Sequence, residues 1–140
     1  MMNEEVRSIM STDVVVVRPH FTVREVTELM TRRRLQQLPV IDAQGRLVGI
    51  VTSYDLWKAC SAGDPQSVTI ARVMNRGVVT LAPKDKVGTA AELFMDRRFK
   101  TLPVVNLEGK LKGVVTAFDL IRYSLKKEYP QPILYREVLM

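Results

Sequence analysis

The chain has 140 residues, 46% of them hydrophobic and 26% charged, with a formal net charge of +6. That length suits one compact domain or two very small units sharing a core, and the composition is ordinary for a globular protein. It excludes a helical membrane span, because no apolar run approaches the ~20 residues required, and an intrachain disulfide, because Cys60 is the sole cysteine.

In chain order, MMNEEVRSIM carries acidic residues early and has no apolar core, so it does not read as a secretory signal. Together with the lone thiol this makes the cytoplasm the expected location. VVVV at 14–17 predicts a short strand stopped by Arg18-Pro19. Thr22-Val-Arg-Glu25 has the form of a capping box, and Val23, Val26, Leu29 and Met30 follow at helical spacing. The predicted helix is closed by Arg32-Arg33-Arg34, where cations favour the negative end of the dipole. LPVI, the turn Asp42-Ala-Gln-Gly45 and RLVGIV predict a hairpin. A second helix is predicted from Ser53. CSAGDPQSVT at 60–69 reads as a connector, with Thr69 placed to cap a short helix over IARVM.

The chain then repeats itself. Displaced by 64 positions, GIVTSYDL (49–56) falls on GVVTAFDL (113–120), and 19 of the 47 positions from 10 to 56 are identical without a gap. A tandem duplication of a unit of about fifty residues follows, small enough that the halves are expected to bury each other. The second copy predicts a strand over Val78–Leu81 before Pro83, and a helix from Asp85 or Lys86 that lacks the capping box and is closed by Arg97-Arg98. LPVV, Asn106-Leu-Glu-Gly109 and KLKGVV predict its hairpin, and a helix follows from Ala117. The fold class is therefore mixed α/β (α+β), tandem βαββα repeats. Repeat 1 is assigned to 1–60, a linker to 61–69, repeat 2 to 70–127 and a tail to 128–140. The tail, with two prolines and a renewed apolar end, is either disordered or packed on a partner.

The positive charge raises nucleic acid as a partner. The basic clusters, Arg32–Arg34, Arg97-Arg98-Lys100 and Lys126-Lys127, are not interleaved with aromatic residues, which make up 6% of the chain. No zinc-finger or RNA-recognition signature is present, so an adaptor or nucleic-acid-binding protein using its basic surface stands only as the alternative function.

Gly49-x-x-Thr52-x-x-Asp55 and Gly113-x-x-Thr116-x-x-Asp119 carry the chemistry. Each places a hydroxyl and a carboxylate at a strand-to-helix turn beside unpaired backbone N–H groups, which suits a phosphate. The carboxylate suits a vicinal diol such as ribose, and the glycine lets a ligand approach the backbone. The same residues also form an ordinary helix cap. The company of Leu-Pro-Val strands, and the doubling of the whole set, favour a binding site.

The doubled pattern resembles the cystathionine-β-synthase (CBS) domain in tandem, the Bateman module. The resemblance rests on Met-x4-Val-x3-Pro, Leu-Pro-Val with a following Asp or Asn, and Gly-x-Val-Thr-x-x-Asp-Leu, each present in both copies without insertion, over about residues 5–125. It implies two repeats packed across a pseudo-two-fold axis, with two clefts that take adenosine-containing ligands: AMP, ADP, ATP, S-adenosylmethionine or dinucleotides. It implies that Asp55 and Asp119 hold ribose hydroxyls and that Thr52 and Thr116 face phosphate. It implies that Pro39, Pro103, Val16, Val17, Thr80 and Leu81 wall the adenine. Gln36, Gln37, Lys100 and Thr101 stand where relatives present basic residues to phosphate. Lys100 alone is charged there, which makes the clefts unequal.

No metal site is expected, since His20 has no second ligand at a suitable spacing, and no nucleophile has a base beside it. The expected role is therefore a regulatory sensor, not an enzyme, with no obligatory cofactor and an adenine nucleotide as regulatory ligand. Trp57 and Tyr54, with Phe118 and Ile121, make the second helix of each unit apolar on more than one side, which points to a homodimer through these helices. A regulated protein partner is implied without being identified, and no membrane is. Asp119→Ala is the substitution this reading selects to remove most of a nucleotide's thermal stabilisation while leaving the ligand-free protein folded.

Overall fold

A computed structural model describes residues 2–96 and 99–128. The chain forms α1 (Val23–Arg33), β1 (Gln37–Ile41), β2 (Leu47–Thr52), α2 (Ser53–Ala62), α3 (Val87–Phe94), β3 (Thr101–Val105), β4 (Leu111–Thr116) and α4 (Ala117–Glu128). Single 3-10 turns at Val6–Ser8 and Ile70–Arg72 introduce the two copies. The fold mixes helix and strand, with two antiparallel two-stranded sheets, β1–β2 and β3–β4.

The helix ends follow their local chemistry. α1 has the expected capping box: Thr22 Oγ1 accepts from Glu25 N–H (3.1 Å), and Glu25 Oε1 accepts from Thr22 N–H (3.0 Å). It stops after the arginines, with Arg34 left-handed (φ 54°) and its N–H turned back to the Met30 and Thr31 carbonyls. α3 begins after Lys86, which offers no side-chain cap. It ends at Phe94, earlier than its arginine pair, because the Met95 and Asp96 N–H groups fold back onto Glu92 and Leu93 and tighten the last turn. The expected closure by Arg97-Arg98 lies outside the described residues, as does the tail over 129–140. Thr69 stands at the start of its 3-10 turn but makes no capping bond with its side chain. Its backbone bridges Thr22 instead, and the short helix over IARVM is a 3-10 helix of three residues, Ile70–Arg72.

The strands expected at 14–17 and 78–81 do not form. Each is reduced to one parallel bridge, Val17 to Val40 and Leu81 to Val104. Val17 N–H donates to Pro39 O (3.1 Å) and Ile41 N–H to Val17 O (3.0 Å); Leu81 N–H donates to Pro103 O and Val105 N–H to Leu81 O. The next rung would need an N–H from Pro39 or Pro103, and proline has none. Leu-Pro-Val thus ends the very ladder that the valine runs would have extended.

The opposite edge of each hairpin is joined to the other copy's lead-in. Asn75 exchanges two backbone bonds with Ile50 (2.8 and 2.9 Å), and Ser11 exchanges two with Val114 (2.8 and 2.9 Å). Gly49 and Gly113 make this possible. A Cβ on Gly49 would lie 2.8 Å from Met74 Sδ, and one on Gly113 would lie 2.8 Å from the Ser11 carbonyl oxygen. The glycines admit the chain's own backbone there, not a ligand. At the hairpin tips Leu47 N–H donates to Gly109 O and Leu111 N–H to Gly45 O, both at 3.0 Å. Every one of these bonds maps onto its partner by the 64-residue displacement, so the copies are related by a pseudo-two-fold axis. The cores cross in the same way. Ile70 and Met74 are buried with Val17, Val26 and Leu38, whereas Val6 is buried with Leu81, Leu102 and Val115.

Candidate functional site

The turn from β2 into α2 sets the first candidate group. Thr52 N–H and Thr52 Oγ1 both donate to Asp55 Oδ2 (3.1 and 2.8 Å), and Asp55 N–H donates back to Thr52 Oγ1 (3.1 Å). Ser53 N–H donates to the Gln36 carbonyl at 2.9 Å. The threonine hydroxyl and two of the first N–H groups of α2 are thus already engaged. Asp55 Oδ1 accepts no hydrogen bond among the described residues, and the residue is half-buried.

Asp55 lines a cavity of about 450 Å³ that lies between the copies. From the first copy come Gln37, Ile50, Thr52 and Asp55; from the second come Asn75, Gly77, Val78, Val79, Phe99, Lys100 and Thr101. The volume is that of a small-molecule site. Apolar Ile50, Val78 and Val79 stand against one free carboxylate oxygen and one ammonium group. Such a lining can stack a flat apolar ring, accept from a diol and neutralise an anion.

The corresponding turn from β4 into α4 is closed. Thr116 N–H and Oγ1 donate to Asp119 Oδ2 (2.8 and 3.1 Å) as in the first copy. Here, however, Oδ1 is also engaged, by Ser11 Oγ at 2.9 Å and by an Arg122 Nη2 ion pair. Asp119 is 2% exposed.

The remaining expected wall residues are not brought to the first cavity. Pro39, Pro103, Val17 and Leu81 are buried. The bridges to Val40 and Val104 turn Val17 and Leu81 inward, onto the two cores. Thr80 and Leu81 line a separate outer groove with Arg7 and Lys84, and Val16 lines a small hollow beside Gly45 and Leu111. Gln36 is exposed.

Two matches to the CBS-domain family model cover residues 6–59 and 70–126. The chain belongs to the CBS-domain family. It carries the domain twice, and it is 36% identical over 124 residues to an uncharacterized 17.7 kDa protein of Acidianus ambivalens, covering 89% of this chain and 75% of that one. Other curated relatives are longer: the chain spans 47% of an uncharacterized Methanocaldococcus jannaschii protein and 23% of an inosine-5'-monophosphate dehydrogenase of Aquifex aeolicus. Among solved structures it is similar to CBSX2 in complex with AMP (TM-score 0.78, 28% identity, 89% of this chain and 98% of that chain). It is also similar to the cytosolic domain of the Mg2+ channel MgtE in complex with ATP (TM-score 0.74, 32% identity, 86% of this chain and 49% of that chain).

Within this CBS pair, sequence reasoning missed Ile50, Asn75, Gly77, Val78, Val79 and Phe99 as cavity residues. In the second copy this cavity is lined by Val78 and Val79, two positions before the expected wall residues Thr80-Leu81. The missing signal was available in Pro103: a proline that halts the ladder at Leu81 leaves Val78 and Val79 unpaired and free to line the cleft. No helix among the described residues is long and apolar enough to cross a membrane, and no group of three His, Cys, Asp or Glu there could hold a metal ion.

Proposed function

We propose that this CBS pair is a regulatory module that binds an adenosine-containing ligand, AMP, ADP or ATP, in the first cavity. Occupancy is passed to a protein partner or to the geometry of its own dimer. The observation that carries this reading is the cavity itself, where the Thr52–Asp55 turn of one copy meets Lys100-Thr101 and Gly77–Val79 of the other. Asp55 Oδ1 accepts from the ribose hydroxyls, and Thr52, by holding Oδ2, fixes the carboxylate in that orientation. Ile50, Val78 and Val79 flank the base, while Lys100, Thr101 and Gln37 face the phosphate side. AMP in the CBSX2 complex and ATP in the MgtE complex support the ligand class.

A ligand touching both copies shifts their relative arrangement only by its differential affinity for two arrangements, and that is the physical content of sensing here. Tyr54, Trp57, Phe118 and Ile121 stand out from α2 and α4, between 52% and 71% exposed. They occupy matching positions in the two copies and support a homodimer through these helices.

Thermal unfolding with each nucleotide tests the reading. At a hundredfold excess over its dissociation constant, a ligand specific for the folded state stabilises it by about 2.7 kcal/mol, which raises Tm by several degrees. Asp55→Ala is expected to abolish that rise while leaving the ligand-free Tm within a few degrees of wild type. An unchanged response in Asp55→Ala contradicts the assignment.

A further inference from the structure

Asp55 and Asp119 occupy the same place in the two copies, yet their carboxylates are in different states. Both use Oδ2 to hold their own threonine. Asp55 Oδ1 accepts no hydrogen bond among the described residues, whereas Asp119 Oδ1 accepts from Ser11 and Arg122 and is withdrawn from solvent. A carboxylate recognises a diol only with an oxygen free to accept. The difference traces to two positions. Where the second cleft has Ser11, the first has Asn75, whose Oδ1 accepts instead from Gly77 N–H at 3.0 Å. Where the second has Arg122, the first has Lys58, whose ammonium lies over the Tyr54 ring, 5.5 Å from its centre.

We propose that Ser11, Asp119 and Arg122 form a latch that closes the second cleft, so that one chain takes one adenosine-containing ligand, in the first cleft. The latch stands on the geometry alone; the stoichiometry rests on the nucleotide reading above. Ser11 also pairs its backbone with Val114, and the Tyr123 hydroxyl meets Glu4, so the latch fastens the N-terminal lead-in onto the second copy. Ser11 and Arg122 are positioning residues: they act through Asp119 by occupying the oxygen that a ribose would need.

The test exchanges the latch for the residues of the first copy, Ser11→Asn with Arg122→Lys, in the full chain. Without ligand, hydrogen exchange at the Ser11 and Val114 amides is expected to rise about tenfold in the double variant. Exchange unchanged from wild type there overturns the latch. Calorimetric titration with AMP is expected to give one site per chain for wild type, none for Asp55→Ala, and two for the double variant. Two sites in wild type, or one remaining in Asp55→Ala, overturns the single-site assignment. Should the double variant not fold, Arg122→Lys alone keeps the Ser11 bond and is expected to give a smaller exchange increase in the same amides; no increase overturns the latch. If wild type takes up none of AMP, ADP or ATP, the nucleotide reading falls, while the exchange measurement still decides the latch.

Discussion

At the residue scale, the same backbone job is done by different atoms in the two copies. Asp42 Oδ1 accepts from the Gln44 and Arg46 N–H groups at 2.9 Å each, and Asn106 Oδ1 accepts from Glu108 and Lys110 in the same geometry. The Arg46 N–H bond, chiefly, holds the Asp42 carboxyl below the usual range; the Gln44 bond and the Arg46 and Arg18 charges add to it. A carboxyl depressed by folding contributes stability that is present above its unfolded pKa and lost as pH falls through its folded one. Asp42→Asn keeps the acceptor, as Asn106 demonstrates, and removes the titration. Urea midpoints of wild type and Asp42→Asn are therefore expected to differ at pH 7 and to converge below about pH 4. Glu25 is depressed likewise, mainly by the Thr22 N–H bond, and belongs to the same acid-side loss. Gly113 gives a steric prediction. Its absent Cβ is replaced by the Ser11 carbonyl, a backbone atom that cannot swing aside, so Gly113→Ala is expected to destabilise by about 1–3 kcal/mol in urea unfolding. Gly49→Ala meets the flexible end of Met74 first and is expected to cost less.

At the element scale, the two copies offer an internal comparison of helix starts. α1 has a complete capping box and α3 has none. Thr22→Ala is expected to cost about 1 kcal/mol, while Lys86→Ser is expected to be neutral or to stabilise by a fraction of that, both read from denaturant midpoints. The hairpins and the helix starts at Ser53 and Ala117 were legible because turn glycines and apolar periodicity are local signals. Gly45 and Gly109 do sit at positive φ, 83° and 82°. The valine runs misled because β-propensity says nothing about whether a neighbour has an N–H to give, and here the neighbour is Pro39 or Pro103. Thr52 and Asp55 were legible as a candidate site. The difference between the two clefts was only half legible: Lys100 against Gln36 is visible in sequence. Closure of Asp119 by Ser11, 108 residues away, needs the fold.

At the scale of the whole molecule, the copies cannot be separated at the junction of the sequence repeat without opening both cores. Ile70, at the head of the second copy, is fully buried in the first, and Val6, at the head of the first copy, is fully buried in the second. Ile70→Ala is expected to cost about 2–5 kcal/mol, and because of the crossed packing it should lower the unfolding midpoint of the whole chain in a single transition. The same crossing builds the cleft. Asn75 is fixed beside Ile50 by two backbone bonds, which brings Gly77–Val79 against the Thr52–Asp55 turn and sets Asp55 opposite Lys100. The sensing function proposed for this pair therefore requires that the junction hold a nucleotide. Amide chemical-shift mapping with AMP, ADP and ATP tests it most directly. The expected result is saturable shifts concentrated at Thr52, Asp55, Gly77–Val79, Lys100 and Thr101. Shifts confined to the outer groove at Thr80–Asp85, or none with any of the three nucleotides, would contradict it.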